Sequence, residues 1–302
     1  MDRGRFRVGL TMLGSYIDAS HSVEPDQYEP GIPDADQPRQ HSLDIGMLEW
    51  DLDAQLGVHR RFAFEILLPI RTTIIRASFL DADGNPIPDF KSIHHRDETI
   101  AGVGDLVLGG RTGLVLPTDV PRWTLALRTG LSFPTGRIEP DPFALGEAGQ
   151  AHQHMFFGSG TFDPVVGLDT NLAFDKWGLV GWTVAKLPLY ENRFGYQGSK
   201  VVVGGIGAQS GFGLQRWSFL LQPEAYFETP ATWSGTSARN SGRTSLIATA
   251  GVFAMPGDGW QIHLLAKVPY HTWAKGGQLR WPFVAMLGFS YVFDVVKRDG
   301  PS

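Results

Sequence analysis

The sequence WQIHLLAKVPYH at positions 260–271 has the side-chain pattern of a β-strand that crosses a lipid bilayer. In an extended strand, one face holds Trp260, Ile262, Leu264, Ala266, Val268 and Tyr270. The opposite face is largely polar and includes His263, Lys267 and His271. An apolar face with an aromatic residue at each end suits lipid and its two interfaces, and a polar face suits a lumen.

Four other segments begin in the same way, with an aromatic residue directly after a short turn. The five openings are Arg61-Phe62, Arg122-Trp123, Lys176-Trp177, Arg216-Trp217 and Gly259-Trp260. The outward faces predicted for strands one, three, five, nine and twelve contain no charge, and a cation there would cost about 2–4 kcal/mol at mid-bilayer. A soluble β-sandwich, the alternative fold, would leave its polar face wet and would not need these aromatic residues.

Twelve strands are predicted, at 4–16, 41–56, 61–76, 102–116, 122–135, 160–174, 177–190, 200–214, 216–228, 243–255, 259–272 and 280–293. The short connections are Gly57–Arg60, Thr118–Pro121, Asp175-Lys176, Gln215 and Pro256–Asp258. The connections between them, at 17–40, 77–101, 136–159, 191–199, 229–242 and 273–279, are longer. Short periplasmic turns and long extracellular loops are typical of outer-membrane barrels. The sequence therefore predicts an all-β fold, a transmembrane antiparallel up-and-down barrel of about twelve strands.

We expect a single barrel domain over residues 1–302, with strands at about 4–293 and a tail at 294–302. Strand two changes parity, since Leu43, Ile45 and Met47 alternate out of phase with Leu48, Trp50 and Leu52, and this predicts a β-bulge near Met47-Leu48. Proline recurs late in strands, at Pro69, Pro134, Pro188, Pro223 and Pro269. Because proline removes a ladder hydrogen bond, these positions mark either strand ends or a lateral break in the wall.

Composition excludes several classes of protein. The 302 residues contain no uninterrupted apolar run of transmembrane-helix length. There is no cysteine, which excludes disulfides and cysteine-ligated metals. A net charge of −5 gives no basic surface for nucleic acid. The chain enters its first strand directly after Met1, so we expect that a secretory signal has been removed from a protein of the Gram-negative outer membrane.

Charged and imidazole side chains collect on the predicted lumen face. They are Arg5, Arg7, Glu49, Asp51, Asp53, Glu65, Arg71, Asp105, Arg111, Arg128, Asp163, Asp169, Lys186, Glu224, Glu228, His263, Lys267 and His271. Both signs are present and neither dominates. Two interpretations follow: paired charges that fill a narrow interior, or a polar passage for solute.

Three short sequence segments, taken in order, resemble a known family. Gly102-Val103-Gly104-Asp105 opens strand four and Phe133-Pro134-Thr135-Gly136 closes strand five. Gly158-Ser159-Gly160 then leads into strand six. This order resembles the outer-membrane family named for the meta pathway of phenol degradation, and the resemblance implies a barrel that transports aromatic or other small organic compounds.

The C-terminal strand resembles the assembly signal of bacterial outer-membrane proteins. Gly288, Tyr291 and Phe293 match a glycine followed by two spaced aromatic residues, although Met286 occupies a position that is usually polar. The resemblance implies that the barrel-assembly machinery is a partner. The tail from Asp294 to Ser302 departs from the pattern.

The sequence contains little evidence of a catalytic or metal-binding site. The twelve-stranded outer-membrane phospholipases carry His-x-Ser, and this sequence has no such triplet. His152-Gln153-His154 and the patch His94, His95, Asp97 and Glu98 offer imidazoles, but zinc needs three or four ligands. Asp81-Ala82-Asp83-Gly84-Asn85 has Ser92 where a calcium loop needs its glutamate, so we interpret it as a turn.

The sequence thus predicts a monomeric outer-membrane channel for small organic molecules, without enzymatic activity, cofactor or bound metal. Its expected partners are outer-membrane lipids, lipopolysaccharide, the assembly machinery and a solute of unknown identity. The alternative is a closed barrel with a structural or docking role in an envelope assembly.

Overall fold

The computed structural model describes residues 3–23, 28–29, 31–90, 92–93, 95–117, 120–211, 216–274 and 279–295. The strands of the first half are β1 (Arg5–Asp18), β2 (His21–Ser22), β3 (Gln40–His59), β4 (Phe62–Leu80), β5 (Glu98–Val103), β6 (Leu106–Val115), β7 (Arg122–Phe133) and β8 (Asp163–Ala173). Those of the second half are β9 (Trp177–Lys186), β10 (Tyr196–Gln197), β11 (Val201–Ser210), β12 (Trp217–Glu228), β13 (Thr232–Trp233), β14 (Thr236–Ser237), β15 (Arg243–Ala254), β16 (Trp260–Ala274) and β17 (Val284–Asp294). The described helices are a 3-10 helix at Asp34–Asp36 and α1 (Pro142–Glu147).

Twelve strands close into an antiparallel barrel, as the sequence predicts. The order around the ring is β1, β3, β4, β6, β7, β8, β9, β11, β12, β15, β16 and β17. Pairing of β1 with β17, from Arg5 opposite Asp294 to Gly14 opposite Ala285, completes the circle. Each ring strand begins or ends within a few residues of its predicted bounds. The predicted turn at Gln215 and part of that at Thr118–Pro121 lie outside the described residues.

Strand four departs from the prediction. The single strand expected at 102–116 is divided into β5 and β6, which are separated by Gly104 and Asp105. β6 pairs with both β4 and β7, whereas β5 pairs with β4. The Gly104 N–H donates to the Pro69 carbonyl at 2.8 Å, and a Cβ on Gly104 would lie 2.8 Å from Pro69 Cγ. Glycine is therefore required where the chain changes direction.

The bulge expected near Met47-Leu48 is absent from β3, and that prediction is wrong. β3 keeps one continuous register with β1 from Leu56 to Asp44 and with β4 through the same interval. Leu43 and Ile45 instead face the interior and are 6% and 3% exposed. The apolar residues of β3 change parity because the strand has two apolar surroundings. Lipid lies outside it, and an apolar cluster lies inside the barrel at the end of β3 away from the short turns.

The outer face matches a lipid-facing surface. Trp123, Trp177, Trp217 and Trp260 begin their strands with exposed indoles. In β12 exposed and buried residues alternate regularly, from exposed Trp217 to buried Glu224. This alternation follows from the two-residue period of a strand between lipid and an enclosed interior.

Beyond β7 the chain folds back toward the barrel in residues 134–162, which we call the inserted segment. It contains α1, whose first turn is capped by the Asp141 carboxylate through the amides of Phe143 and Ala144. Near it, β10, β13 and β14 form a small separate sheet, here named the cap sheet. No helix in the described ranges has the length and apolar character needed to cross a membrane.

Candidate solute path

Ion pairs occupy the part of the lumen nearest the short turns. Arg128 Nε donates to Asp169 Oδ2 at 2.6 Å, and Arg111 Nη2 lies 3.4 Å from the same oxygen. Arg7 pairs with Asp53 on the neighbouring strand. These side chains come from β1, β3, β6, β7 and β8, so they line one continuous half of the inner wall.

A second polar cluster lies on the opposite half of the wall. Lys267 Nζ lies 2.6 Å from Glu224 Oε2, although β15 separates their strands. Lys267 also lies over the ring of Trp182, 5.5 Å from its centroid, and the Trp182 indole donates to Gln222. Contacts between non-adjacent strands can form only across the interior, so these residues narrow the lumen.

Several of the other predicted lumen residues are paired along the wall or lie at its rim. Glu49 pairs with Arg71, Glu228 with Arg243 at 3.3 Å, and Glu65 accepts from Gln55 at 2.8 Å. Arg5 lies at the rim beside Asp294, at 3.7 Å, with both side chains nearly half exposed.

Asp51 and His263 also lie on inward-facing positions. The Asp51 side chain stands between Glu49 and Asp53 on one face of β3, and its Oδ1 makes no hydrogen bond within the described part of the chain. His263 occupies space that Gly288 leaves free, since a Cβ on Gly288 would lie 2.0 Å from the His263 ring.

His271 does not face the lumen, and this expectation is corrected. The register of β16 against β15 shifts after Ile247 opposite Pro269, and Leu246 lies opposite His271. Pro269 lacks the N–H that would continue the ladder, which favours a bulge at this point. The extra residue turns His271 outward beside exposed Trp273, with ring centroids 3.9 Å apart.

Three predicted residues meet on the side of the lumen away from the short turns. Lys186 Nζ lies 3.3 Å from Asp105 Oδ2 and 3.2 Å from Asp163 Oδ2. The two carboxylates are 5% and 0% exposed. The sequence motifs at 102–105, 133–136 and 158–160 meet at the same buried point, since the Gly136 and Ser159 amides both donate to Asp105.

Next to this point the interior is apolar. Leu43, Ile75, Ile100 and Phe157 form a buried cluster, against which Ala19, Ala77 and Met155 pack. We call these seven residues the apolar cluster. Phe157 and Met155 come from the inserted segment, and the other members come from the wall or its immediate continuation. The inner face of β4 thus changes from charged at Arg71 to apolar at Ile75.

The wall is incomplete beside the apolar cluster. Within the described residues, β5 pairs with β4 on one edge and with no strand on the other. β7 ends at Phe133, which lies opposite Leu106, so it does not reach the level of β5. The inserted segment runs past this edge instead: Gln153 donates to Glu98, and a Cβ on Gly102 would contact the Phe157 ring at 3.5 Å.

Sequence reasoning missed several of these side chains. Trp182, Gln222 and Arg243 share the inward parity of their predicted strands, and that parity was available as a signal. Ile100 gave no such signal, because it lies in the predicted loop 77–101. Phe157 carries no such signal, because it lies in a loop whose path depends on contacts distant in sequence.

The histidine and aspartate loops behave as turns and packing elements. Nε2 of His152 and Nε2 of His154 are 3.0 Å apart, and Nδ1 of His152 contacts the Gln150 carbonyl. His94 lies outside the described residues, and among those described no group of three candidate ligands could hold a metal ion. Asp81 accepts from the amides of Asp83 and Asn85, and these hydrogen bonds lower the pKa of its carboxyl.

Comparisons with known proteins support the fold. No family model and no curated protein matches the sequence, so membership of the meta-pathway family stays a prediction. Among solved structures, an outer-membrane channel from Pseudomonas putida F1 is similar over 97% of both chains, with a TM-score of 0.63 and 12% identity. The P. putida toluene transporter TodX and a FadL homologue from P. aeruginosa give TM-scores of 0.47 and 0.42, each at 11% identity, over 97% of this chain and 91% of theirs. The chain thus has the fold of an outer-membrane barrel.

Proposed function

We propose that this protein is an outer-membrane channel for small apolar organic molecules. The observation that carries the proposal is the position of the apolar cluster, which lies inside the barrel directly beside the unpaired edge of β5. Buried apolar side chains offer an apolar solute a favourable environment, worth about 25 cal/mol per Å² of surface removed from water. The solute takes the place of Phe157 and Met155 when the inserted segment moves.

The ion pairs in the part of the lumen nearest the short turns explain why the proposed path leaves through the side of the barrel. The pairs Arg128–Asp169 and Lys267–Glu224 keep this part of the interior polar and narrow. An apolar solute gains nothing there, and it would have to separate paired charges to pass. The unpaired edge of β5 gives it a shorter route from the apolar cluster into the surrounding lipid. The sequence predicts small organic solutes, with aromatic or apolar ones as one option, on a charge-lined path. The proposal keeps the apolar class and gives it a side exit in place of the charge-lined path.

The second candidate, a closed barrel with a structural or docking role, rests on the same ion pairs. Nearly every described lumen charge has a partner of opposite sign, as a sealed interior requires. The two candidates differ in whether solute reaches the apolar cluster.

Uptake of N-phenyl-1-naphthylamine tests the proposal, because this apolar dye fluoresces once it has passed the lipopolysaccharide leaflet. Cells that express the protein are expected to take up the dye faster than cells with an empty vector. Ile100→Asn places an amide in the apolar cluster and is expected to abolish most of the gain.

Leu220→Asn is the matched control. Leu220 is 7% exposed and Ile100 is 8% exposed, and both point inward, but Leu220 lies on β12, away from the apolar cluster. Folding of each variant is checked by its heat-dependent shift on gels. Uptake equal to the empty vector in the parent would favour the closed barrel, and an equal loss in both variants would show that the apolar cluster is not the path.

A further inference from the structure

The inserted segment is held at both of its ends by one carboxylate. Asp105 Oδ1 accepts from the Gly136 amide at 3.1 Å, and Oδ2 accepts from the Ser159 amide and hydroxyl, each at 2.9 Å. Gly136 and Gly158 pack backbone to backbone, since a Cβ on Gly158 would lie 2.4 Å from the Gly136 carbonyl oxygen. Residues 137–158 therefore form a closed loop whose two ends meet at Asp105.

Lys186 and Asp163 complete the arrangement. Lys186 Nζ is shared between Asp105 and Asp163, so two buried carboxylates depend on one ammonium group. Asp163 also accepts from the Thr161 hydroxyl at 2.6 Å. Removal of a partner from a buried charged group is strongly destabilising, because the remaining charge loses both water and its counter-ion.

The same point is connected to the cap sheet. Asn192 Nδ2 donates to the Ser159 carbonyl at 2.9 Å, and Asn192 Oδ1 accepts from the amides of Phe194 and Tyr196. Tyr196 begins β10, which pairs with Trp233 of β13. Asn192 therefore links the Ser159 end of the loop to the cap sheet.

We propose that Asp105, Lys186 and Asp163 form an electrostatic latch that holds the two ends of the loop 137–158 and thereby keeps Phe157 and Met155 inside the barrel. Release of the latch frees the ends of the loop and exposes the apolar cluster beside the edge of β5. The latch rests on the proposed function only for its consequence, the passage of solute. Its mechanical part, the position of the loop, is independent of transport. Asp105 and Lys186 are positioning residues in this account.

The absence of natural cysteine allows a direct test. Met155→Cys places a single thiol on the inserted segment, where Met155 packs against the apolar cluster. Its reaction rate with a membrane-impermeant maleimide reports how often the loop leaves the interior. Lys186→Met in this background is expected to raise the rate about tenfold or more, because two buried carboxylates lose their shared cation.

A charge-dependent rescue separates a latch from general damage. Adding Asp105→Asn to Lys186→Met removes the carboxylate repulsion, keeps one acceptor oxygen for the loop amides, and is expected to return the rate toward the parent value. Lys267→Met is the matched control, since it removes an equivalent lumen ion pair, between β16 and β12 on the opposite half of the wall from Asp105. It is expected to leave the labelling rate unchanged.

The outcomes distinguish the latch from the function. The latch would be overturned if Lys186→Met and Lys267→Met raised the labelling rate equally, or if Asp105→Asn failed to restore it. This holds even if the parent transports the dye. A rate that follows the expected order supports the latch, and absence of dye uptake in all variants would then overturn only the proposed function. Heat-dependent mobility on gels confirms that each variant retains the barrel.

Discussion

Leu127 and Arg128 are neighbours in the chain but lie on opposite sides of the barrel wall. Arg128 points inward and donates to Asp169 at 2.6 Å, whereas Leu127 points outward from β7. The same β-strand therefore exposes one position to lipid and the next to a paired acid. Placing a cationic side chain at position 127 and an apolar one at position 128 distinguishes the two environments.

Leu127→Arg is expected to destabilise the barrel more than Arg128→Leu. A cation on the lipid face costs about 2–4 kcal/mol at mid-bilayer. Loss of Arg128 is expected to reduce the stability of the barrel less, because Arg111 remains 3.4 Å from Asp169 and still offers it a positive charge. The measurement is the midpoint of urea unfolding in lipid vesicles. Equal midpoints for the two variants would show that the register assigned to β7 is wrong.

Neutralising the acidic row on β3 tests whether ions pass the lumen. Replacement of Glu49, Asp51 and Asp53 by Gln or Asn is expected to shift the reversal potential under a salt gradient toward anion selectivity, since fixed charges act strongly in a low-dielectric passage. If the parent carries no current and the triple variant is merely less stable, the row serves a sealed interior.

Single changes in this row separate the two effects. Glu49 and Asp53 each hold an arginine, so Glu49→Gln and Asp53→Asn are expected to cost about 1.5–3 kcal/mol, the typical worth of a charged hydrogen bond. Asp51→Asn removes a carboxylate that stands between two others and is expected to cost less. A larger loss of stability for Asp51→Asn would show that it has a partner essential to the fold.

Protease applied to intact cells tests the orientation of the barrel. Cleavage is expected near 81–97 or 140–155, because long loops face the exterior. Exposed residues at Asp83-Gly84 and Gly149-Gln150 offer the first sites. Cleavage restricted to the short turns, such as Pro256–Asp258, would reverse the assignment of inside and outside.

Ionisation of Tyr196 limits the pH range in which the cap sheet is stable. Burial, together with the carboxylates of Glu228 and Asp163, raises the pKa of Tyr196 to about 12. Its ring packs on Trp233 and Phe156, with centroids 4.8 and 4.9 Å away. An unfolded tyrosine ionises near pH 10, so the stability that the neutral phenol gives the cap is complete below about pH 10 and is lost as pH rises toward 12.

A difference titration measures this pKa. Phenolate absorbance of the parent minus that of Tyr196→Phe isolates one group and is expected to show a midpoint of about 12. Trp233→Ala opens the aromatic packing and is expected to move the midpoint toward 10, the value for an exposed tyrosine. A parent midpoint near 10 would show that Tyr196 is solvated.

The wall of this barrel could be predicted from its sequence because the bilayer acts on every spanning strand in the same way. Trp217 and Trp260 begin their strands where expected, and the alternation of β12 is regular. The error at Leu43 and Ile45 has the same origin. An apolar residue indicates removal from water, and it does not tell whether lipid or an interior cluster removes it.

The candidate site could be predicted only in part. The parity of their strands predicts Lys186, Asp105 and Asp163 as lumen residues, but Asp105 reaches the other two from between β5 and β6, which are not neighbours of β8 and β9 in the ring. The outward turn of His271 depends on how β15 tolerates Pro269, a cross-strand effect. The path of Phe157 into the barrel depends on Asp105, which lies 52 residues earlier in the chain.

The length of β3 and β4 has a consequence for where a solute loses its water. Twenty residues of β3 extend roughly 65 Å along the strand, or about 50 Å in height at a tilt near 40°, against an apolar band of about 25 Å. The far end of this hairpin, with Leu43 and Phe79 turned inward, therefore extends well beyond the apolar band. Under the proposed function, a hydrocarbon is expected to lose its water at this end, before it reaches the level of the apolar band.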